Sequence, residues 1–505
     1  MTTVPRGRTG ALITFSMTET EPGELRHAVV YREIRARIEA GRLPAGAALP
    51  STRSLSRQLE VARSTVALAY AQLEEEGFIT VRRGTPARVL GQGAARRPAL
   101  RPAPPRVGAK PLALSRRGRA VAACPNPVYP IRPSTPKPFR ISVPALDLFP
   151  AGIWDRLMSK VLRRVPAQLL SYGDARGLPE LRQGIARHLA VAHGVVCEPE
   201  QVLVTLGSQQ AIALVCLALT DPGDAVLIEN PGYFAVRGAL ALAGARPVAM
   251  TVDDRGADVH AALAAHPTAR LAIVTPGRQL PTGVSLSPDR RTRLLEWSLA
   301  TGGWVLEDDY AGDLRSVTVD PPLRAEPGGE RVLYAGTFSK VLFPALRLGY
   351  LVLPEGLVDA FARARTFLDF HPPHLEQAVM AAFLAEGHFD RHVRRVRTAL
   401  EARRRALACR LTTALRGLAT VASAEGSWHL LIRLPTGWSE TTVVELAEAI
   451  GIEVIPLGDF VGAPARVAPG ILLGFSGLRD DELRSASEAL TTLLRQLAGR
   501  HRPSQ

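Results

Sequence analysis

Lys340 is the residue of this sequence whose chemistry is hardest to explain as structure alone. It stands in GTFSKVLFPALRLGYLV, residues 336–352, between a Gly-Thr-Phe-Ser turn and an apolar run interrupted only by Arg347. An ammonium group in apolar surroundings costs several kcal/mol or gives up its proton. A lysine whose pKa is lowered in this way is the amine that forms a Schiff base with an aldehyde. Arg347 adds a permanent positive charge that suits an anion. Other reactive types stand at comparable places. Leu206-Gly207-Ser208-Gln209 follows the apolar run QVLVT and opens a helical stretch, where N–H groups and the positive dipole end suit a phosphate. Pro231-Gly232-Tyr233 follows AVLIEN and brings an aromatic ring. GWVLEDDY delivers Glu307, Asp308, Asp309 and Tyr310 together, a set that can serve as metal ligands, as a solvated rim or as partner of a cationic ring. No histidine joins them, and no metal site is expected.

A second set lies near the start of the chain. Arg63, Ser64 and Thr65 open one helical pattern, RSTVALAYAQLEEEG, and Arg53, Arg57, Arg82 and Arg83 flank it. Arginines and hydroxyls at a helix start suit phosphates and base edges. The same apolar stripes would also serve a plain three-helix bundle.

The elements that must position these residues differ between the two ends of the chain. AVVYREIRARIEA has Val30, Ile34 and Ile38 at helical spacing, LPSTRSLSRQLE offers Ser51 as the cap of a short helix, and a break at Val61-Ala62 precedes the third helix. FITVRRGTPARV reads as two short strands turning near Gly84 and Thr85. The order is that of a winged helix-turn-helix. From about Phe139 onward, QVLVT, AVLIEN, LAIVT, GWVLEDD and VLYAGTF alternate with helical stretches, which predicts βαβ units, a mostly parallel sheet flanked by helices, and a site at the carboxyl ends of its strands.

Between them, residues 91–140 hold eleven Lys or Arg, no Asp or Glu and eleven prolines, so this segment supplies 11 of the 15 net positive charges. The expectation is a Pro/Arg-rich basic linker over 91–139 without helix or ladder. It is either a solubilising spacer or a tether that also clings to phosphates, with a reach of roughly 40 Å. The chain thus divides into 24–90, the linker, and 140–505. With 46% hydrophobic and 22% charged residues, no long apolar span and an amino terminus without a signal-like core, a soluble cytoplasmic protein with no membrane association is expected. Cys124, Cys197, Cys216 and Cys409 stand too far apart for a metal cluster and read as free thiols.

LPSTRSLSRQLEVARSTVALAYAQLEEEGFITVRRG resembles the GntR-family winged helix-turn-helix. That resemblance implies operator DNA as partner, touched by Arg53, Arg63, Ser64, Thr65, Arg82 and the wing around Gly84. Ala62 replaces a common capping serine, and GTPAR replaces the usual wing turn. For the large block, pyridoxal 5′-phosphate accounts for every loaded strand end at once: an aldehyde for Lys340, a phosphate, a pyridinium nitrogen for an aspartate and a ring for an aromatic. YGDARGLPELR, TLGSQQAI, ENPGY, TPGRQLPTG, EDDY and GTFSKVLFPALRLGY resemble fold-type I aminotransferases, and with the head they are similar to the MocR/GabR-type subfamily of GntR regulators. The resemblance implies a small C-terminal α/β subdomain and the following roles. Lys340 carries the Schiff base, Asp308 pairs with the pyridine nitrogen with Asp309 as its rival, Tyr310 reaches the ring hydroxyl and Tyr233 stacks. Ser208, Gln209, Thr337, Ser339 and Arg347 hold phosphate, and Tyr172 reaches across a homodimer interface.

Three departures bear on turnover. Arg278 stands where the subfamily usually has histidine, Leu280 where aminotransferases have asparagine, and GILLGFSGL lacks the arginine expected near Leu472 to clamp a carboxylate, leaving Arg466 upstream as a substitute. The implied function is a transcriptional regulator sensing an amine, an amino acid or pyridoxal phosphate itself. The competing one is a working aminotransferase that carries a DNA-binding domain.

Overall fold

A computed structural model of the chain describes residues 25–82, 84–90, 113–125, 137–163, 166–314, 320–422, 427–462 and 467–500. Arg83 and Arg466, and the linker outside 113–125 and 137–139, lie outside the described residues. The chain divides into two compact units, Met1–Leu112 and Ala113–Gln505.

In the first unit, α1 (Arg26–Glu39), α2 (Thr52–Gln58) and α3 (Arg63–Glu75) precede the strands β1 (Ile79–Thr80) and β2 (Arg88–Val89), which pair antiparallel. The expected apolar stripes meet: Val30, Ile34, Ile38, Leu55, Val66, Tyr70 and Leu73 are buried together with Ile79 and Val89. The Ser51 hydroxyl caps α2 by accepting from Ser54 N at 3.1 Å. At the start of α3, Ala62 makes no such bond, which leaves a capping contribution of about 1 kcal/mol unrealised. Gly84, with φ of +83°, turns the wing in a region that only glycine adopts freely.

The basic segment differs from expectation at one place. Residues Arg116–Ala122 form α4, capped by Ser115, which accepts from Gly118 N at 3.0 Å. The helix belongs to the second unit, where it packs on a helix, Phe234–Ala243. The physical reason is local. Residues 113–124 contain no proline and start with a good cap, and Pro125 follows where the helix must stop.

The second unit continues with α5 (Ala151–Arg163), α6 (Pro179–Ala192), β3 (Val202–Thr205), α7 (Ser208–Leu219), β4 (Ala225–Asn230), α8 (Phe234–Ala243), β5 (Arg246–Asp253), β6 (Gly256–Ala257), α9 (Val259–Ala265), β7 (Leu271–Val274), α10 (Pro288–Thr301), β8 (Trp304–Asp309), β9 (Val332–Thr337) and β10 (Gly349–Val352). The strands form one sheet in the order β3-β10-β9-β8-β7-β4-β5-β6. The run from β9 to β5 is parallel, whereas β10 is antiparallel to both of its neighbours and β6 to β5. Strands covered on both faces read as continuous apolar runs, and separate apolar clusters fill the two sides of this sheet. After α11 (Val358–Asp369), α12 (His374–Ala385) and α13 (His388–Ala414), a second, antiparallel sheet joins β11 (Thr420–Ala422), β12 (His429–Arg433), β13 (Ile455–Pro456) and β14 (Gly470–Gly474) in the order β11-β12-β14-β13, with α14 (Glu440–Ala449) and α15 (Asp480–Arg500) beside it. The expected class is observed: a mostly parallel, helix-flanked sheet and a smaller C-terminal α/β part. Among the described residues, no helix is long and apolar enough to cross a membrane.

Candidate functional site

In the first unit, the starts of α2 and α3 lie side by side. Arg63 Nε donates to Thr52 Oγ1 at 3.4 Å, and the Tyr70 hydroxyl, on α3, donates to Pro50 O at 2.8 Å. Two helix amino termini and their hydroxyls therefore share one surface, on which Arg53, Arg63 and Ser64 are exposed and Thr65 is half-buried. Arg57, Arg82 and Gly84 are exposed as well. Such a surface matches phosphates through N–H dipoles and guanidinium groups.

In the second unit, the parallel strands end on one edge of the sheet, and the reactive residues follow those ends as expected. β3 leads into Gly207, whose φ of +98° only glycine adopts easily. A Cβ there would lie 3.4–3.6 Å from the Arg347 guanidinium. Arg347 itself sits in the left-handed region with φ of +48°, an uncommon conformation that functional sites often retain. The sheet thus brings a guanidinium to the start of α7, whose first-turn N–H groups have no partner within the helix. Ser208 is half-buried there, and the Gln209 side chain donates to Ala235 O at 3.3 Å. At the end of β9, Thr337 and Ser339 are buried; Thr337 Oγ1 accepts from Ser339 N at 3.2 Å, and Ser339 Oγ has no partner.

Strand alternation separates the two aspartates of β8. Asp309 accepts a 2.6 Å hydrogen bond from the Tyr334 hydroxyl, whereas Asp308 is buried with Oδ1 unpartnered. Burial, reinforced by Asp309 and Glu229, pushes the Asp308 carboxyl up to about 7, with Lys340 opposing. Burial likewise lowers the Lys340 amine to about 8, against the pull of Asp308 and with the help of Arg347. Tyr233 is pushed up to about 12 by burial first, then raised by Asp308 and lowered by Arg347. It therefore senses both the acidic and the basic end of the pocket. Tyr310 is buried and shifted upward by the same desolvation.

Several neighbours could not be read from spacing. Lys340 Nζ lies 4.3 Å from the centre of the Trp428 ring, and Trp428 packs edge-on against Tyr310 at 6.0 Å. His429 is buried, with Nε2 2.9 Å from Pro281 O, and burial with Lys340 and Arg278 nearby lowers it to about 4, so it is neutral. Glu229, the one charge inside AVLIEN, is buried; it accepts from Thr275 N at 3.0 Å and from Thr275 Oγ1 at 2.5 Å, and desolvation raises it to about 7. That charged residue in an apolar strand was the visible signal. Leu472 is fully buried on β14 in one cluster with Tyr310, Trp428, Leu280 and Phe460. An apolar wall thus occupies the position where the resemblance implies a carboxylate clamp. Tyr172 is not brought to this pocket: it is 82% exposed and packs at 5.6 Å on Phe370.

The set fits a phosphorylated pyridine aldehyde. Asp308 Oδ1 is an acceptor without a donor, Ser339 Oγ is a hydroxyl without a partner, and the space over Gly207 beside Arg347 is one that a side chain would fill.

Residues 157–461 match the family described as aminotransferase class I and II, and residues 27–89 match that of bacterial regulatory proteins, gntR family. The probable rhizopine catabolism regulatory protein MocR of Rhizobium meliloti is 32% identical, over 92% of each chain. The HTH-type pyridoxine biosynthesis transcriptional regulator PdxR of Corynebacterium glutamicum is 30% identical, over 90% of this chain and 92% of that one. Among solved structures, LysN, the alpha-aminoadipate aminotransferase of Thermus thermophilus complexed with N-(5′-phosphopyridoxyl)-L-leucine, is 26% identical with a TM-score of 0.66, covering 76% of this chain and 96% of that one.

Proposed function

The chain belongs to the MocR-type GntR regulators, a GntR head joined to an aminotransferase class I and II domain, and we propose that it holds pyridoxal 5′-phosphate at Lys340 and reports a small amine or amino acid to operator DNA. The observation that carries this reading is the buried Asp308 Oδ1, unpartnered and electrostatically coupled to a lysine whose pKa burial lowers. The names of two relatives support it, one a pyridoxine biosynthesis regulator and one an aminotransferase with a phosphopyridoxyl ligand.

When bound, pyridoxal phosphate supplies an aldehyde carbon for which a lysine and an effector amine compete. Lys340 would be the residue that holds the cofactor, because desolvation keeps a usable fraction of its amine neutral. Asp308 would hold the positive charge of the pyridine nitrogen, which repays the burial of its carboxylate. Tyr233 would cover one ring face, and Tyr310 would donate toward the ring hydroxyl. Arg347, Thr337, Ser339, Ser208 and the amide of Gln209 would hold the phosphate. Leu472 gives an effector carboxylate no guanidinium at its position, so the bidentate positioning that turnover needs would have to come from elsewhere, and among the described residues Arg278, whose charge reaches Tyr310 and His429, is the candidate. Sensing is the reading that the names of the regulator relatives support.

The head reads DNA through Arg53, Arg63, Ser64, Thr65, Arg82 and the Gly84 wing. A homodimer would cover the exposed Tyr172, Phe367 and Phe370, bring Tyr172 to the neighbouring subunit's pocket and present two heads to paired half-sites. The test uses full-length protein and the DNA upstream of its own gene in mobility-shift titrations. Binding should respond to pyridoxal phosphate and to added amines in the wild type and not in K340A. An identical response in K340A would overturn the reading.

A further inference from the structure

A cluster that none of this chemistry uses lies behind β8. His188 on α6, His193 just past its end, and Asp313 in the turn after β8 converge on one point: Asp313 Oδ1 is 2.7 Å from His188 Nε2 and 3.1 Å from His193 Nε2. The three ligand atoms all lie within 4.8 Å of one another. We infer that His188, His193 and Asp313 form a binding site for a divalent cation of the zinc class, with further coordination positions open to the neighbouring cavity.

Four observations support the site. Two imidazoles and one carboxylate form a donor set that suits zinc and its transition-metal neighbours, while magnesium and calcium require oxygen ligands. Two ligands about 2.1 Å from a tetrahedral ion stand about 3.4 Å apart, so the nitrogen–oxygen spacings of 2.7 and 3.1 Å have to open by about 0.7 and about 0.3 Å. The second nitrogen of His188, Nδ1, faces Asp390 Oδ1 at 3.6 Å. A carboxylate behind a ligating histidine fixes its tautomer and orientation. Finally, His188, His193 and Asp313 line a cavity of about 1340 Å³ shared with Arg394 and Arg397, and Arg397 fixes the Asp313 backbone by donating to its carbonyl at 2.8 Å. That leaves room for water or a small anion on the ion. Asp309 borders the same cluster: a Cβ on Gly312 would lie 2.5 Å from Asp309 Oδ2 and 2.9 Å from the His193 ring. An ion there would be held against the strand that carries Asp308, on the strand's other face.

The test uses untagged full-length protein, stripped with a chelator, dialysed against zinc and desalted. Metal analysis should find about one zinc per chain, and at least tenfold less in H188Q and in H193Q. Retained pyridoxal phosphate absorbance in those variants reports that the domain is folded. If neither variant folds, D390N decides: competition with a chromophoric chelator should show zinc affinity weakened by about 10- to 100-fold. A wild type that retains less than about a tenth of a zinc per chain, equal zinc in folded wild type and H193Q, or an unchanged affinity in D390N would each reduce the cluster to hydrogen bonding alone and overturn the site.

Discussion

The two units use charge in opposite ways. In the head, Arg53, Arg57, Arg63 and Arg82 are exposed, and each can contribute only the modest, salt-screened energy of a solvated cation meeting a phosphate. In the large unit, Asp308 and Lys340 have been taken out of water, and burial pushes the carboxyl up to about 7 and the amine down to about 8. On the proposed reading, the head would bind by adding many weak contacts. The pocket leaves Asp308 Oδ1 and Ser339 Oγ unsatisfied, and on the proposed reading a complementary guest would satisfy them, so single changes there should have far larger effects.

The largest expected effect is that of K340A, which should abolish the near-ultraviolet and visible band of bound pyridoxal phosphate. Next comes D308N, which should weaken cofactor affinity by about 100-fold, the value of a buried charge-assisted hydrogen bond. D309N should leave it within a few-fold, because Asp309 is engaged with Tyr334. Equal losses in a spectroscopic titration would erase the distinction between the two aspartates. The pH dependence follows from Lys340. Only the neutral amine attacks an aldehyde, so the rate of cofactor capture by stripped protein should rise about tenfold per pH unit at lower pH and level off near pH 8. A profile still climbing toward pH 10 would mean that the lysine is not desolvated. In the head, R63A should cost about tenfold in operator affinity and lower the slope of log affinity against log salt by about 1, measured by fluorescence anisotropy. An effect as large as that of D308N would break the contrast between the units. The smallest change is A62S, which restores a helix cap and should stabilise the head by about 1 kcal/mol in thermal unfolding.

The placement of the candidate residues was legible because they lie in contiguous strand-end motifs. GTFSK, LGSQQ, ENPGY and EDDY each sit where a strand releases the chain, so the type of strand and the chemistry of the next residues were read together. Trp428 and His429 were not legible. They come from the start of β12, whose sheet order brings them to Lys340 across 88 and 89 residues, and no local pattern encodes that approach. His188, His193 and Asp313 escaped for the same reason: 125 residues separate His188 from Asp313. α4 was missed for a different one, since the bulk proline and arginine content of 91–139 concealed a short window with its own cap and stop. Long-range pairing and local exceptions to composition are the two kinds of information that averages over a segment discard.

Peptide mapping offers the most direct check of Lys340 because lysine is rare in this chain. Its only four are Lys110, Lys137, Lys160 and Lys340. Full-length protein incubated with pyridoxal phosphate, reduced with borohydride, digested and analysed by mass spectrometry should carry the phosphopyridoxyl group on Lys340 at about one per chain. Label spread over Lys137 and Lys160, or none at Lys340 with the protein folded, would contradict the site and the sensing mechanism built on it.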